Sequence, residues 1–333
     1  MCIAFFSTAH PQYRLIICNN RDEFLHRPTS RADWWPSPHS HVLSARDLVR
    51  PIHPTWLGIT KQGRIAVLTN YHEDTCAKAV GKYSRGEVVN SWLALSPDSA
   101  QTTQEFVNQW TTNGELANIG GFNLVCGNVM EPLAILASRA SETEPILWIA
   151  DKPGQTVGLS NTDYDDRSWP KVEKGEDAIV DAIAGHVQNQ ESEDNLIERL
   201  LGVLSVDTLP RLSNDAGVQE YIPHLPQSVF IPPIGRDKQA QDVAESAKQD
   251  KREESPVLPS TPEGTPNRAY LEGLYATQKQ TVILVGFDGR VRFLNVHCTT
   301  MMLSQSLQRL ATGRLSSVLK SRRHTGGFGC TRF

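Results

Sequence analysis

Residues 2–23 read CIAFFSTAHPQYRLIICNNRDE, in which two apolar stretches flank a short turn and a charged run follows the second stretch. Residues 3–6 and 13–18 are predicted to form two strands, with Pro11 in the turn between them. The second strand is expected to end at Cys18, so that residues 19–54 form a loop rich in proline, arginine and aromatic residues. Because a hairpin brings the end of its second strand beside the start of its first, the charged run should lie near the amino terminus.

The order of elements along the chain predicts an α+β fold. Apolar stretches of strand length come in hairpin-linked groups, and the helical patterns fall between these groups rather than after each strand. Such segregation favours antiparallel sheets covered by helical layers over alternating βαβ units. The predicted strands are 56–59, 65–68, 122–126, 133–138, 146–150, 156–159, 281–287 and 291–296, and the predicted helices are 84–95, 98–113, 170–187 and 193–204.

The predicted organisation is a single domain, residues 1–312, interrupted by a polar insert at about 227–267. The insert is rich in Pro, Asp, Glu, Lys and Ser, so it buries too little apolar surface to offset its ordering entropy and is expected to be disordered. Residues 313–333 form a basic tail, since no acidic residue follows Asp288. A flexible terminus is favoured there over a segment that binds membranes or partners.

Composition narrows the class of protein. A net charge of −4 argues against a surface built for nucleic acid. The six cysteines form no C-x-x-C pair and follow no signal peptide, so a reduced cytoplasmic environment is favoured over a disulfide framework, and no metal site is predicted. The longest apolar runs are far shorter than a transmembrane segment, although peripheral membrane association stays open.

Cys2 is the first candidate for chemistry. If the initiator Met1 is removed, Cys2 carries a thiol and a free α-amine on adjacent carbons, which supplies a nucleophile and a base in one residue. An α-amine titrates near pH 8 and can therefore accept a proton at neutral pH. The alternative is a small buried residue that opens a strand.

Polar residues that follow the strands are the remaining candidates. The Arg21 guanidinium could hold a thiolate or a substrate carboxylate, and Asp22 could orient the α-amine, although an ion-pair network that anchors a loop is the alternative. Asn70 and Asn161 each follow an apolar strand and a hydroxyl residue. Their amides could donate to a developing oxyanion, although asparagine also ends strands as a turn former.

A set of short motifs follows one order along the chain: Met1-Cys2, Asn20-Arg21-Asp22-Glu23-Phe24 with Arg27-Pro28, Trp56-Leu57-Gly58, Leu68-Thr69-Asn70, Ser84-Arg85-Gly86, Gly121-Phe122-Asn123-Leu124, Gly158-Leu159-Ser160-Asn161, Trp169-Pro170-Lys171-Val172 and Thr281-Val282-Ile283-Leu284-Val285. In this order the motifs resemble the NRDE-motif family, the transport and Golgi organisation protein 2 homologues. The resemblance extends from residue 1 to about residue 296, excluding the polar insert.

The resemblance implies a four-layer αββα sandwich of two antiparallel sheets, as in N-terminal nucleophile hydrolases. In the related choloylglycine and penicillin-acylase hydrolases an N-terminal Cys attacks an amide, supported by Arg, Asp and two Asn residues. Carried over by motif, the catalytic positions here are Cys2, Arg21 or Asn20, Asp22, Asn70 and Asn161, with Asn20, Glu23 and Asn123 as ligand-binding residues.

The sequence departs from the family at Tyr275-Ala276-Thr277-Gln278, where relatives tend to carry Tyr-Gly-Thr-Arg. If that arginine contributes to the site, Gln278 removes a fixed charge and a bidentate donor. The departure puts hydrolysis or anion binding in doubt for this chain.

Three functions follow as hypotheses. The resemblance favours a role in Golgi organisation and secretion, with a pocket around Cys2 that carries haem or a lipid-like acyl ligand; family members are also associated with mitochondrial and lipid homeostasis. The second hypothesis is a cysteine amidohydrolase that acts on a small acylated amide. The third is a scaffold that acts through the insert and the basic tail. No cofactor is expected, haem entering only as a carried ligand, and the expected partner is a small molecule, not a nucleic acid.

Overall fold

The computed structural model describes residues 1–72, 84–139, 145–213, 215–235, 273–298 and 331–332, and these form two antiparallel sheets. The first sheet has the order β10-β1-β2-β11-β12-β13, with β1 Ile3–Ser7, β2 Tyr13–Phe24, β10 Thr156–Leu159, β11 Tyr275–Gly286, β12 Arg290–His297 and β13 Thr331–Arg332. The second has the order β3 to β9, with β3 Asp33–Trp34, β4 Val42–Ser44, β5 Leu57–Thr60, β6 Arg64–Asn70, β7 Phe122–Asn128, β8 Leu133–Ala137 and β9 Leu147–Ile149.

Helices cover the outer face of each sheet. They are α1 Arg85–Leu93, α2 Thr103–Thr112, α3 Pro170–Gln188, α4 Glu193–Leu204 and the short α5 Val218–Tyr221, with 3-10 turns at Glu115–Asn118 and Ile222–Gln227. Three buried clusters separate the layers. One lies between the sheets, one between the first sheet and α3 with α4, and one between the second sheet and α1 with α2. The predicted four-layer αββα sandwich is therefore confirmed.

Strand β2 alternates its side chains between two of these clusters. Leu15 and Ile17 pack between the sheets, whereas Ile16 and Cys18 pack under the helices. β1 alternates in the same way, so both central strands are buried on both faces.

The predicted end of this second strand was wrong. β2 does not stop at Cys18 but continues to Phe24, so the Asn-Asn-Arg-Asp-Glu run is strand rather than loop. It pairs with β11, in a register that places Asp22 opposite Thr277 and Glu23 opposite Ala276. Polar residues remain in this buried strand because they find hydrogen-bond partners inside the protein, such as Thr277 for Asp22 and Gln278 for Arg21.

The part of the predicted insert that the structure describes is folded. Val229, Ile231 and Ile234 are buried, the last two against Phe24 and Tyr275 at the end of the first sheet. Residues 236–267, the rest of the insert, lie outside the described residues. The predicted tail, 313–333, does so as well apart from 331–332, which pair with β12.

Helix α3 approaches β1 most closely at Gly175. A Cβ at this position would lie 2.1 Å from Cζ of Phe5, a ring that is itself buried. No ordinary side chain fits such a gap, so the glycine sets the distance between the helix and the sheet.

We expect Gly175→Ala to destabilise the fold by about 1–3 kcal/mol, because the added methyl must displace a buried ring. Urea unfolding would measure the loss. Gly202→Ala in α4 is the matched control, since nothing lies within 4 Å of its Cβ position. That variant should gain roughly 0.5–1 kcal/mol from helix propensity. Equal effects of the two substitutions would contradict the close approach.

A chain of hydrogen bonds through two buried histidines ties the β1–β2 turn to α3. Gln12 N–H donates to His10 Nδ1 over 3.0 Å, and His10 Nε2 lies 3.0 Å from His186 Nδ1. His186 Nε2 in turn lies 3.2 Å from the carbonyl oxygen of Ser192. The Gln12 N–H can only donate and the Ser192 carbonyl can only accept, so each ring carries its proton on Nε2 and accepts at Nδ1. Burial, with His186 beside it, lowers the pKa of His10 to about 4.

We predict that the pH dependence of stability reports this pair. The folded pKa of His10 lies below its ordinary value of 6.5, so the unfolded chain binds more protons and stability falls as pH drops from 6.5 towards 4. A loss of about 1–3 kcal/mol is expected over that range. In His10→Gln the dependence should flatten, whereas His224→Gln, away from the pair, should leave it unchanged. Thermal unfolding at several pH values would decide.

Candidate functional site

The start of β1 lies in a buried, charged setting. The Met1 α-amine is 3.5 Å from Asp22 Oδ2 and donates to the Tyr275 hydroxyl, and the Asp22 side chain is fully buried. Cys2 Sγ donates to the Asp22 carbonyl oxygen over 3.8 Å. The hairpin and the β2–β11 pairing thus place the sulfur, the amine and the carboxylate together.

Strand β11 fixes the orientation of Asp22. Thr277 Oγ1 donates to Asp22 Oδ1 over 2.6 Å, and the Tyr275 hydroxyl donates to the Asp22 carbonyl oxygen over 3.2 Å. Burial raises the pKa of Tyr275 well above its ordinary value, so the phenol stays neutral. Oδ2 is left to the α-amine, because no other hydrogen-bond donor reaches it among the described residues.

Burial sets the protonation of the terminal groups. It raises the pKa of the Cys2 thiol, and the positive charges of the α-amine and Arg21 oppose this rise. It lowers the pKa of the Met1 α-amine, with Asp22 opposing the change. With Met1 in place, the Cys2 nitrogen is part of a peptide bond and cannot act as the base that an N-terminal nucleophile uses.

Asn161 and Asn70 meet each other close to the Cys2 peptide. Asn161 Nδ2 donates to the Asn70 carbonyl oxygen, and the neighbouring Ser160 Oγ donates to the Cys2 carbonyl oxygen over 2.7 Å. The pairing of β10 with β1, in which Leu159 lies opposite Ala4, brings this segment to the site. The Asn70 side chain is exposed at the end of β6, so its amide is available to a ligand.

Arg21 lies in an ion-pair network between the sheets. Its Nη2 is 3.3 Å from Asp47 Oδ2 and 3.7 Å from Glu23 Oε2. Its guanidinium lies 4.6 Å from the centre of the Trp56 ring. These contacts agree with the loop-anchoring alternative, while the influence of Arg21 on the Cys2 thiol also places it near the sulfur.

Gln278, at the position where the resemblance implies an arginine, joins the same network. Its Oε1 accepts from Arg21 Nη1, and its Nε2 donates to the Arg27 carbonyl oxygen over 2.8 Å. An arginine here would face the Arg21 guanidinium. The glutamine therefore replaces like-charge repulsion with a hydrogen bond.

The amides of Asn20 and Asn123 are used inside the fold. Asn20 Nδ2 donates to the carbonyl oxygens of Leu204 and Val229, each over 2.8 Å, on the helix-facing side of β2. Asn123 Nδ2 donates to the Thr162 carbonyl oxygen over 2.8 Å. Asn20 therefore holds the end of α4 in place, and Asn123 supports the segment that carries Asn161. Their ligand-binding roles, like that of half-buried Glu23, stay predictions.

Sequence reasoning gave no role to Lys171, Tyr275 or Thr277. Lys171 Nζ donates to the Met1 carbonyl oxygen over 2.9 Å from the first turn of α3, and the side chain is fully buried. A cation in the first turn opposes the helix dipole. A lysine in the first turn of a predicted helix is unfavourable, and this is the sequence signal that could have identified Lys171.

The described part of the chain contains no group of three His, Cys, Asp or Glu side chains placed to hold a metal ion. None of its helices has the length and apolar character needed to cross a membrane.

Comparison with known proteins shows the family of this chain. Residues 1–300 match the family model described as Transport and Golgi organisation 2. The Bos taurus Transport and Golgi organization protein 2 homolog is 33% identical over 234 residues, which cover 67% of this chain and 79% of that protein. The Mus musculus homolog is 32% identical over 235 residues, covering 67% and 79%.

Solved structures with a similar fold include two hydrolases. The Caenorhabditis elegans N-acylethanolamine-hydrolyzing acid amidase ortholog matches with a TM-score of 0.40 and 10% identity, covering 68% of this chain and 98% of that one. Penicillin V acylase from Agrobacterium tumefaciens matches with a TM-score of 0.34 and 14% identity, covering 90% and 86%. On the family model and the bovine relative, the chain belongs to the Transport and Golgi organisation 2 family.

Proposed function

We propose that this protein acts in Golgi organisation and protein secretion by binding a small acyl or haem-like ligand in the pocket around Cys2. The role follows the names of its relatives. The proposed pocket rests on one observation: Cys2, Asp22, Lys171 and the Met1 amine lie together in a largely buried group.

The energetics of this group support a functional use. Desolvating two amines and a carboxylate costs several kcal/mol for each ion, and apolar replacements of buried ion pairs are often neutral or stabilising. Groups whose pKa values are shifted by burial and by nearby charges, as at Cys2 and Lys171, cluster at functional sites. Since the cluster is costly to keep, stability alone does not account for it.

A ligand can reach the site from the edge of the two sheets. Cys2 is partly exposed, and the Asn70 side chain is exposed beside it. A ligand carbonyl or carboxylate there would meet an amide donor and the positive charges of Lys171 and Arg21, which stabilise acceptor oxygens.

The second candidate function is a cysteine amidohydrolase. It is favoured by the convergence of Cys2, Asp22, Asn161 and Asn70 at one edge of the sandwich. The thiolate would attack an amide carbonyl, forming an S–C bond, and the C–N bond would break as the leaving amine takes a proton. Water would then hydrolyse the thioester. This reaction needs Met1 removed, so that the Cys2 α-amine can carry the proton.

Mass spectrometry of the purified full chain tests both functions. Denatured protein gives the processing state of Met1, and native protein gives the mass of any retained ligand. We expect Cys2→Ala to lower occupancy of the retained ligand, or of added haemin or oleate, about tenfold, because it removes the sulfur from the pocket. Cys126→Ala, at a buried cysteine of β7 far from the site in the other sheet, is the matched control.

Two outcomes separate the candidates. A hydrolase should form a covalent acyl adduct on Cys2 when incubated with an N-acyl p-nitroanilide, and the adduct should be absent in Cys2→Ala. A carrier should show bound ligand without an adduct. Equal occupancy in wild type and Cys2→Ala, with no adduct in either, would refute the proposed pocket.

A further inference from the structure

Three large apolar side chains are exposed together in the loop between β4 and β5. Leu48, Val49 and Ile52 lie in the stretch 48–52, which we call the apolar loop, and they are 42%, 38% and 45% exposed. Single exposed apolar residues are normal on a protein surface, whereas a group of them marks a site of interaction. The apolar loop is therefore a candidate docking surface.

Contacts at its base hold the apolar loop in shape. The Arg46 side chain donates from Nε to the His53 carbonyl oxygen over 2.8 Å and from Nη2 to that of Ile52 over 3.0 Å. At the other end of the loop, Val49 N–H donates to Asp47 Oδ1 over 2.9 Å. The exposed apolar side chains are thus carried by a preorganised backbone, so little conformational entropy is lost when they bind a partner.

Two exposed arginines lie at the apolar loop. Arg50 is part of it. Arg31 belongs to a segment that runs beside its base, where Ser30 N–H donates to the Arg46 carbonyl oxygen over 2.8 Å. Because a guanidinium stays protonated at physiological pH, the loop joins exposed apolar side chains with permanent positive charge.

Few acidic side chains accompany these arginines. From residue 34 to residue 72 the sequence holds one acidic residue, Asp47, and it is buried. Its Oδ2 lies 3.3 Å from Arg21 Nη2 and 2.5 Å from Arg27 Nε, so its charge is already paired inside the fold. The surface favours a partner that is anionic outside and nonpolar beneath. An anionic bilayer has this arrangement, because its charged headgroups lie directly above the acyl chains.

We propose that the apolar loop inserts into the surface of an anionic membrane, with Leu48, Val49 and Ile52 among the acyl chains and the arginines at the headgroups. The inference concerns where the protein binds and does not depend on the ligand proposed for the Cys2 site. Docking in this way turns the Arg21 network towards the lipid surface, since Asp47 adjoins the loop and pairs with Arg21.

Sedimentation of the full chain with vesicles tests the apolar part of the proposal. We expect wild type to sediment with phosphatidylcholine–phosphatidylserine vesicles and much less with phosphatidylcholine alone. The double variant Leu48→Ser with Ile52→Ser should lower the partition coefficient about tenfold, because two apolar side chains no longer enter the bilayer. The matched control is Val180→Ser with Val187→Ser. These side chains are 44% and 40% exposed on α3, over the first sheet, and their loss should change partitioning by less than about twofold.

Arg50→Gln measures the electrostatic part. It should lower partitioning to the anionic vesicles about fivefold and leave partitioning to neutral vesicles unchanged, since one basic side chain no longer faces the headgroups. Lys174→Gln makes the same change in net charge at an exposed position of α3 and should stay within about twofold of wild type.

Quenching by brominated acyl chains reports insertion directly. Tryptophan fluorescence of Val49→Trp should be quenched on brominated anionic vesicles beyond the wild-type background, and that of Val180→Trp should not. Three results would each overturn the proposal: wild type that sediments with neither vesicle, as expected for a loop that binds a protein instead; a Leu48→Ser with Ile52→Ser variant that partitions like wild type; or equal quenching at positions 49 and 180. Failure of the proposed ligand site reads out separately, as ligand occupancy that is unaffected by Cys2→Ala.

Discussion

The antiparallel pairing of β2 with β11 is the constraint on which the rest of the structure depends. It joins residues from Tyr13 to Phe24 with residues from Tyr275 to Gly286 at the centre of the first sheet. Both strands are covered on both faces, so every polar side chain in them must find a partner inside the protein. The hydrogen bond from Thr277 to Asp22 is one such solution. The Asp22 carboxylate held in this way then attracts the chain terminus, and the site follows from the sheet.

Much of the fold could be predicted because its apolar stretches have the length and spacing of strands. The extension of β2 could not, since residues 19–23 are polar and a single strand does not show what will face it. The partners of residues 19–22 are residues 277–281 of β11, which are themselves polar and lie more than two hundred residues away. Residues 229–234 are themselves apolar, but they open a long segment whose average composition is polar. Ile231 and Ile234 are buried because they pack against Phe24 and Tyr275, which are distant in the sequence.

The site was predictable where local geometry determines it. A hairpin alone places Cys2 near Arg21 and Asp22, and this expectation agrees with the observed contacts. The meeting of Asn161 with Asn70 requires two strands of different sheets to end together, which no pattern in either segment encodes. Lys171 was overlooked for a similar reason. Its counter-charge lies on another element, and within its own helix it is merely an unfavourable residue.

Burial and nearby positive charges act in opposite directions on the pKa of the Cys2 thiol, and this distinguishes the site from a hydrophobic core. Burial favours the neutral thiol, whereas the terminal amine and Arg21 favour the thiolate. In a hydrophobic core the first effect would act alone, as it does at Cys18, whose pKa burial raises with no charge opposing it. The two cysteines lie on the same pair of strands and differ in the cations around them. The free energy of an ionised group in low dielectric depends steeply on the charges beside it. Small changes in those cations therefore alter the pKa of the Cys2 thiol more than they alter the stability of the fold.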